Sequence, residues 1–371
     1  MSQGCMTDAK IIPIRDYGSL ETAKKAMSEW KTSSENKKDA LRFLDDLSAG
    51  KVFDLGKISD ARLIKFIVAL KPSLESFSKP FEQLTLQDIE RFEKSLSTGK
   101  IKSTKDQPYA PSTQVEVKRL LKVYLKWKLG DTNEVRKLYE SLNTKDTDKK
   151  LEYLKESEIE QLYKNCKNAT ERFLVAVLFD SGAKAEEFHN IRYEDIKLPT
   201  AKDNSLCITF QDKYSSTKGR TICLYWKHSA EAVRDFIKER VADKIKAKDP
   251  IYNKSYDNTR KIIRRLGKNT LDKNLNYQLF RNSSTMYYST RLTREQLCHR
   301  YGWKLSSTIP DMYASMHPEN ENKDKSEKFS SAPIEELRNK IETQEQEIRI
   351  LKDAQKATAQ ALSELKRKLK K

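Results

Sequence analysis

The sequence predicts a mainly α protein (α+β): a helical N-terminal domain, a second, mixed helical domain with a small β-hairpin or sheet, and a C-terminal coiled-coil helix. Three observations carry that prediction. Apolar residues recur at helical spacing in segment after segment. Glycine and proline number only ten each in 371 residues, few for a chain built of strands and turns. One stretch alone alternates β-formers about a polar turn. The length suits two domains of ~100–200 residues with an appendage.

Residues 1–35 read as a weakly patterned N-terminal extension, with a short helix predicted over 20–31 around Trp30. A helical domain follows over 36–145. In DALRFLDDLSAG, Leu41, Leu44 and Leu47 share one face and Gly50 is the expected C-cap. SDARLIKFIVALKPSLESF opens on a Ser-Asp cap and carries Leu63, Phe66, Ile67 and Leu70 inward. TLQDIERFEKSLSTG pairs Thr85 as N-cap with Asp88 three residues on, and stops at Gly99. A fourth helix, in APSTQVEVKRLLKVYLKWKLGD, turns Val117, Leu120, Leu121, Tyr124 and Leu125 inward. Lys118, Arg119, Lys122, Lys126 and Lys128 are expected outside.

The charged stretch NTKDTDKK (residues 143–150) is the best linker, and a second domain is predicted over 150–318. Ser157 leads a capping signal there, and TERFLVAVLFDSGAKAEEFHNIRYEDI reads as two helices broken at Ser181-Gly182. The first is apolar enough to be buried. NSLCITFQDKYSSTKGRTICLYW is the predicted hairpin, with a basic tip. A tether (319–333) leads to a coiled coil over 334–371. Its a and d positions are Ile334, Leu337, Ile341, Ile348, Leu351, Leu362, Leu365 and Leu369, with Gln344, Gln355 and Thr358 as polar exceptions. Such a seam requires a second helix, from another copy or folded back, so self-association is expected.

Lys and Arg total 72 against 54 Asp and Glu, a net charge of +18. That excess points to a polyanion, with nucleic acid ahead of an anionic membrane surface. Lys102 and Lys105 in the basic loop, with Lys118, Arg119 and Lys122 on the fourth helix, are the expected backbone contacts of the first domain. The five cysteines show no close-spaced pair, so neither a disulfide framework nor a zinc site is expected and a reducing interior is favoured. His189, His228, His299 and His317 lack metal-ligand spacing and read as surface or packing residues. No apolar run reaches the ~18 residues of a membrane span, and no signal-peptide core is present. A soluble, intracellular protein is expected. The sequence has no Gly-rich phosphate loop, so nucleotide use is not expected.

Cleaving a DNA strand with a protein hydroxyl needs a nucleophile in line with the phosphate, cations on the non-bridging oxygens and an acid for the leaving 5′ oxygen. The second domain offers each. DSGAKAEEFHNIRYEDI resembles the first signature of the tyrosine recombinases (the phage-integrase family), and YQLFRNSSTMYYSTRLTREQLCHRYGWKLSSTIPDMY resembles the second. The Ala-Glu-Glu-Phe and IPDMY wording is most similar to the archaeal integrase branch. The likeness covers residues from about 150 to 316 and extends in layout to the helical domain before them.

The resemblance implies a helical core-binding domain and a catalytic domain that close on duplex DNA as a C-shaped clamp. It makes Tyr313 the nucleophile of a 3′-phosphotyrosine link and Arg281 a bidentate phosphate ligand. Trp303 takes the His/Trp position. A hairpin lysine, Lys213 or Lys218, protonates the leaving oxygen, and Lys218 and Arg220 contact DNA. Two positions depart from the pattern. Lys184 stands where the family has its first catalytic Arg, keeping the charge and losing the fork. Gln278 stands where the family has His, and glutamine hydrogen-bonds without transferring a proton near neutral pH. The implied function is site-specific recombination or integration by isoenergetic transesterification, with no metal or other cofactor, by a homo-oligomer (a tetramer on double-stranded DNA) in a prokaryotic host. The alternative is a recombinase-fold protein that binds DNA for regulation or architecture without cleaving it. A third reading is a coiled-coil adaptor with a basic nucleic-acid-binding body.

Overall fold

A computed structural model describes residues 11–14, 18–77, 79–145, 151–201, 203–215, 217–316 and 355. The predicted tether and heptads lie outside the described residues, apart from Gln355, as does most of the predicted linker. Among the described residues the fold is mainly α with one small antiparallel sheet, as the sequence predicts. It divides into two compact units. The first gathers Met1–Glu152, Ala185–Arg192 and Lys246–Lys261; the second gathers Tyr153–Lys184, Tyr193–Ile245 and Ile262–Lys371.

In the first unit the helices are α1 (Leu20–Ala26), α2 (Ser34–Ala49), α3 (Asp60–Ser76), α4 (Leu86–Ser97), α5 (Pro111–Leu129) and α6 (Asn133–Glu140). Their ends follow local chemistry. Ser33 caps α2 through its hydroxyl, and Gly50 ends that helix at φ +73°, where any other residue is strained. Thr85 and Asp88 form the expected capping box. Hydrogen bonds from the backbone and hydroxyl of Thr85, then from Lys79, hold the Asp88 carboxyl down to about 2. Leu44, Leu47, Leu63, Ile67, Leu70, Leu120, Leu121 and Leu125 form the predicted core, whereas Leu41 is only half-buried. At its centre Tyr124 meets Phe43 and Phe81 edge-on, with ring centroids 5.1 and 5.0 Å apart, a favoured aromatic geometry.

Lys128 does not point freely outward as expected. Its ammonium lies 2.6 Å from both Asp39 and Glu82, so a basic position on the helix serves packing.

The short helix α9 (Ala185–His189) belongs to the first unit and buries His189 among Phe188, Tyr252 and Tyr256. Burial pushes its imidazole from 6.5 down to about 4, against a smaller opposing hydrogen bond at the Lys254 backbone. The folded state therefore keeps His189 neutral while the unfolded state takes up a proton below pH 6.5. Stability from this group is complete above that pH and falls by about 1.4 kcal/mol per pH unit on the way down to the folded value. Urea unfolding at pH 7 and pH 5 is expected to show this loss in the wild type, and His189→Gln is expected to shrink it.

The second unit is organised about α8 (Ala169–Ser181), whose residues Phe173 to Ser181 are all buried, as its apolar sequence predicts. Against it pack α7 (Glu156–Lys164), α10 (Ser229–Ala242) and α12 (Tyr277–Ser289). The other helices are α11 (Tyr256–Leu271, shared between the units), α13 (Arg294–Tyr301) and α14 (Ile309–Ser315). The predicted hairpin is β2 (Cys207–Phe210) with β3 (Arg220–Cys223), and β1 (Ile196–Lys197) extends it to three antiparallel strands in the order β1-β2-β3.

Two cysteines depart from the expectation that none would pair. Cys207 and Cys223 are disulfide-bonded across β2 and β3, with Cα atoms 3.9 Å apart. They are 16 residues apart in sequence, so only the strand register brings them together. The bond removes the cysteine argument for a reducing compartment. A loop of this size predicts a loss of about 3 kcal/mol on removing the bond, readable by denaturant unfolding of Cys207→Ser/Cys223→Ser.

Candidate active site

Of the sequence-predicted residues of the second domain, Gln278, Arg281, Trp303 and Tyr313 gather at α12. Asn276 caps this helix, its side-chain oxygen accepting the Leu279 N–H at 2.9 Å. The first two turns then deliver Gln278, Arg281 and Asn282. Arg281 is 5% exposed and donates to two main-chain carbonyls, Gly182 O at 2.7 Å and Tyr301 O at 2.9 Å. Both carbonyls lie at helix C-termini, those of α8 and α13, each closed by a left-handed glycine, Gly182 and Gly302. Such ends present unpaired carbonyls and partial negative charge, a natural seat for a cation. The guanidinium also lies 5.2 and 5.6 Å from the ring centroids of Tyr301 and Trp303. At Gly182, φ is +58°, and a Cβ would come within 2.5 Å of the Tyr301 ring, so glycine is required twice over.

Tyr313 sits on α14, buried to 4% exposure. Its ring lies parallel to Trp303 at 6.2 Å, and Trp303 stacks in turn on Tyr301 at 4.8 Å. The Tyr313 hydroxyl donates to Asn282 Oδ1 at 2.9 Å, and Gln278 Nε2 donates to the same oxygen at 2.8 Å. Burial pushes the phenol above its ordinary value, while the Arg281 charge and the Thr285 hydroxyl pull the other way. Lys184 is half-buried, two residues beyond the Gly182 carbonyl that seats Arg281.

Lys213 and Lys218 are exposed on the hairpin tip. The tip is shaped by Gly219, whose N–H donates to Asp212 Oδ1, and by a 2.8 Å bond between the Ser215 and Thr217 hydroxyls. A Cβ on Gly302 would lie 2.9 Å from Thr217 Cβ and 3.0 Å from the Lys218 carbonyl. The tip backbone therefore packs beside the residue preceding Trp303. Arg220, expected to contact DNA, instead faces inward. It is 7% exposed, donates from Nε to the Arg300 carbonyl at 2.7 Å, and covers the Phe210 ring at 4.7 Å. Its place in β3, in register with Phe210, sets that direction.

In the first unit, Lys105 is exposed, and Lys102 is exposed beside Asp106 at 3.0 Å. Arg119 is exposed and Lys122 half-buried, each 3.4 Å from Thr144, at its carbonyl and hydroxyl respectively. Lys118 departs from the expectation: it is 6% exposed, with its ammonium 2.7 Å from Glu93. His228 stacks on Tyr163 at 4.6 Å, and His317 lies outside the described residues. Among the described residues, no group of three or more His, Cys, Asp or Glu is arranged to hold a metal. No helix among them is long and apolar enough to cross a membrane.

Asn282 and Tyr301 belong to the site without having been singled out in the sequence. Asn282 was findable, because it follows Arg281 directly and stands four residues after Gln278, on the same helix face. The Tyr301 carbonyl carried no signal of its own.

This site is built on the fold of the tyrosine recombinases. The lambda integrase dimer bound to a COC′ core site superposes with a TM-score of 0.56 at 14% identity, over 79% of this chain and 80% of that one. The XerH recombinase in its post-cleavage complex with palindromic difH substrate gives a TM-score of 0.55 at 14% identity, over 83% and 94%. The Tn1549 transposon integrase in complex with circular intermediate DNA gives 0.50 at 15%, over 73% and 94%. In sequence, the tyrosine recombinase XerA of Saccharolobus solfataricus is 23% identical over 212 residues, 55% of this chain and 65% of that protein. This chain thus spans just under two thirds of its relative, and the relative agrees with the archaeal resemblance of the two signatures. No protein-family model matches the chain.

Proposed function

We propose that this protein is a site-specific DNA recombinase or integrase that cuts and rejoins strands through a 3′-phosphotyrosine intermediate. The observation that carries this reading is the convergence on α12: Arg281 seated on two helix ends, with the Tyr313 hydroxyl bonded to the next residue. In the proposed reaction the Tyr313 oxygen attacks the scissile phosphorus, forming a P–O bond to tyrosine. The P–O bond to the 5′ oxygen breaks, and Lys213, or Lys218, gives that oxygen its proton. A guanidinium has five N–H groups, so Arg281 can keep two on protein carbonyls and still meet phosphate oxygens. Lys184 adds charge without a fork.

The helical domain over 36–145 is proposed to contact the phosphate backbone through Lys102, Lys105, Arg119 and Lys122. Lys118 and Arg220 are left out, since each is engaged inside its own unit. The domain over 150–318 is proposed to be catalytic, and the protein to act inside a prokaryotic cell, of archaeal or viral origin. Assembly as a homo-oligomer on DNA, with the 334–371 heptads as a coiled coil, belongs to the same proposal. Similarity to recombinases and integrases supports the cleaving reading over the non-cleaving one.

The test is capture of covalent adducts from a pool of nicked suicide duplexes with randomised cores. The wild type is expected to enrich a sequence as an adduct resistant to denaturant, and Tyr313→Phe to yield none. Tight, salt-sensitive binding without adduct would establish the non-cleaving alternative.

A further inference from the structure

We propose that Asn282 is a positioning residue whose side-chain amide holds the Tyr313 hydroxyl at rest and turns over to receive the phenolate when Tyr313 attacks. The proposal rests on the recombinase reading for its second half only; the resting bond stands by itself. Asn282 is 7% exposed in the middle of α12. Its Oδ1 takes two donors, Tyr313 Oη at 2.9 Å and Gln278 Nε2 at 2.8 Å. A carbonyl oxygen has two lone-pair directions, so these two donors fill them.

In that arrangement Tyr313 is held as a hydrogen-bond donor, with its proton pointed at an atom that cannot take it. Attack requires the proton to leave, to a non-bridging phosphate oxygen or to water. An unturned amide would then set its oxygen against the phenolate, acceptor against acceptor. Rotation of the Asn282 amide by half a turn replaces Oδ1 with Nδ2, whose two N–H groups match the two directions just vacated. One N–H meets the phenolate or the ester oxygen it becomes. The other meets Gln278, whose own amide turns to present Oε1.

Each state gives Tyr313 and Gln278 a complementary group on Asn282, which a polar cluster needs if it is to have two stable settings. Glutamine at position 278 suits this exchange, because a reversible amide can be donor in one state and acceptor in the other. The groups facing the phenol are Arg281, the Thr285 hydroxyl and Tyr301, in addition to Asn282. None of these can exchange a carbonyl oxygen for an N–H in this way.

The experiment follows Tyr313 ionisation in the full chain with ring-labelled tyrosine, assigned with Tyr313→Phe, for wild type, Asn282→Asp and Gln278→Glu. Asn282→Asp keeps the shape and the acceptor but cannot donate. It is expected to raise the Tyr313 titration by about one pH unit or more, and to cut adduct formation about 100-fold on the wild-type-enriched nicked duplex. Gln278→Glu, at an exposed position, is expected to shift the titration in the same direction by less, and serves if Asn282→Asp folds poorly. A titration unmoved in both variants overturns the proposal, as does full adduct yield from Asn282→Asp. Absence of adduct in the wild type overturns the recombinase reading and the turning step, while a shifted titration still establishes the resting bond.

Discussion

Arg281→Lys is expected to reduce adduct formation about 10²–10³-fold, the usual cost of losing a preorganised donor to a transition-state oxyanion. Charge is kept, so the loss isolates the fork. The guanidinium spans the Gly182 carbonyl at 2.7 Å and the Tyr301 carbonyl at 2.9 Å. A single ammonium on a flexible stem cannot reproduce that planar reach. One buried carbonyl would then lack its donor, which costs about 1–3 kcal/mol of stability. Single-turnover adduct yield and thermal unfolding should therefore both fall. Yield within tenfold of wild type would show that the fork is structural and that phosphate orientation lies elsewhere.

Helix ends were legible in the sequence because caps are local. Thr85 finds Asp88 three residues away, and Gly50 needs only its own backbone freedom. The two signatures single out Arg281 and Tyr313, and the structure places them on one helix and its neighbour. What stayed hidden depends on partners far along the chain. Lys118 looked like a surface cation until Glu93, 25 residues earlier, claimed it. Arg220 looked like a basic tip residue, but its acceptor is the Arg300 carbonyl, 80 residues on. The Cys207–Cys223 bond required a strand register that composition does not encode.

Asp180→Ala should cost about 3–5 kcal/mol, the price of leaving a buried cation without its counterion. Asp180 is fully buried, and four donors surround its carboxylate. Oδ2 accepts from the Trp226 N–H at 2.7 Å and the Ser229 hydroxyl at 2.6 Å. Oδ1 accepts from Arg300 Nη2 at 2.9 Å and from the Tyr288 hydroxyl. Arg300 is itself 4% exposed, covers the Tyr288 ring at 3.7 Å, and donates to the Cys223 carbonyl at 2.9 Å. Removing Asp180 strands that guanidinium, whereas Asp180→Ala combined with Arg300→Met removes both charges and should recover part of the loss. The pair also bears on chemistry. Asp180 lies two residues before Gly182, and Arg300 directly precedes Tyr301, so the ion pair ties together the two helix ends that seat Arg281. Even at a temperature where Asp180→Ala remains folded, its adduct yield should fall with the alignment of those carbonyls, although Asp180 itself would touch no DNA. Denaturant unfolding and adduct yield measured on the single and double variants decide the point: stability recovered without yield would separate the fold's need for the pair from the site's.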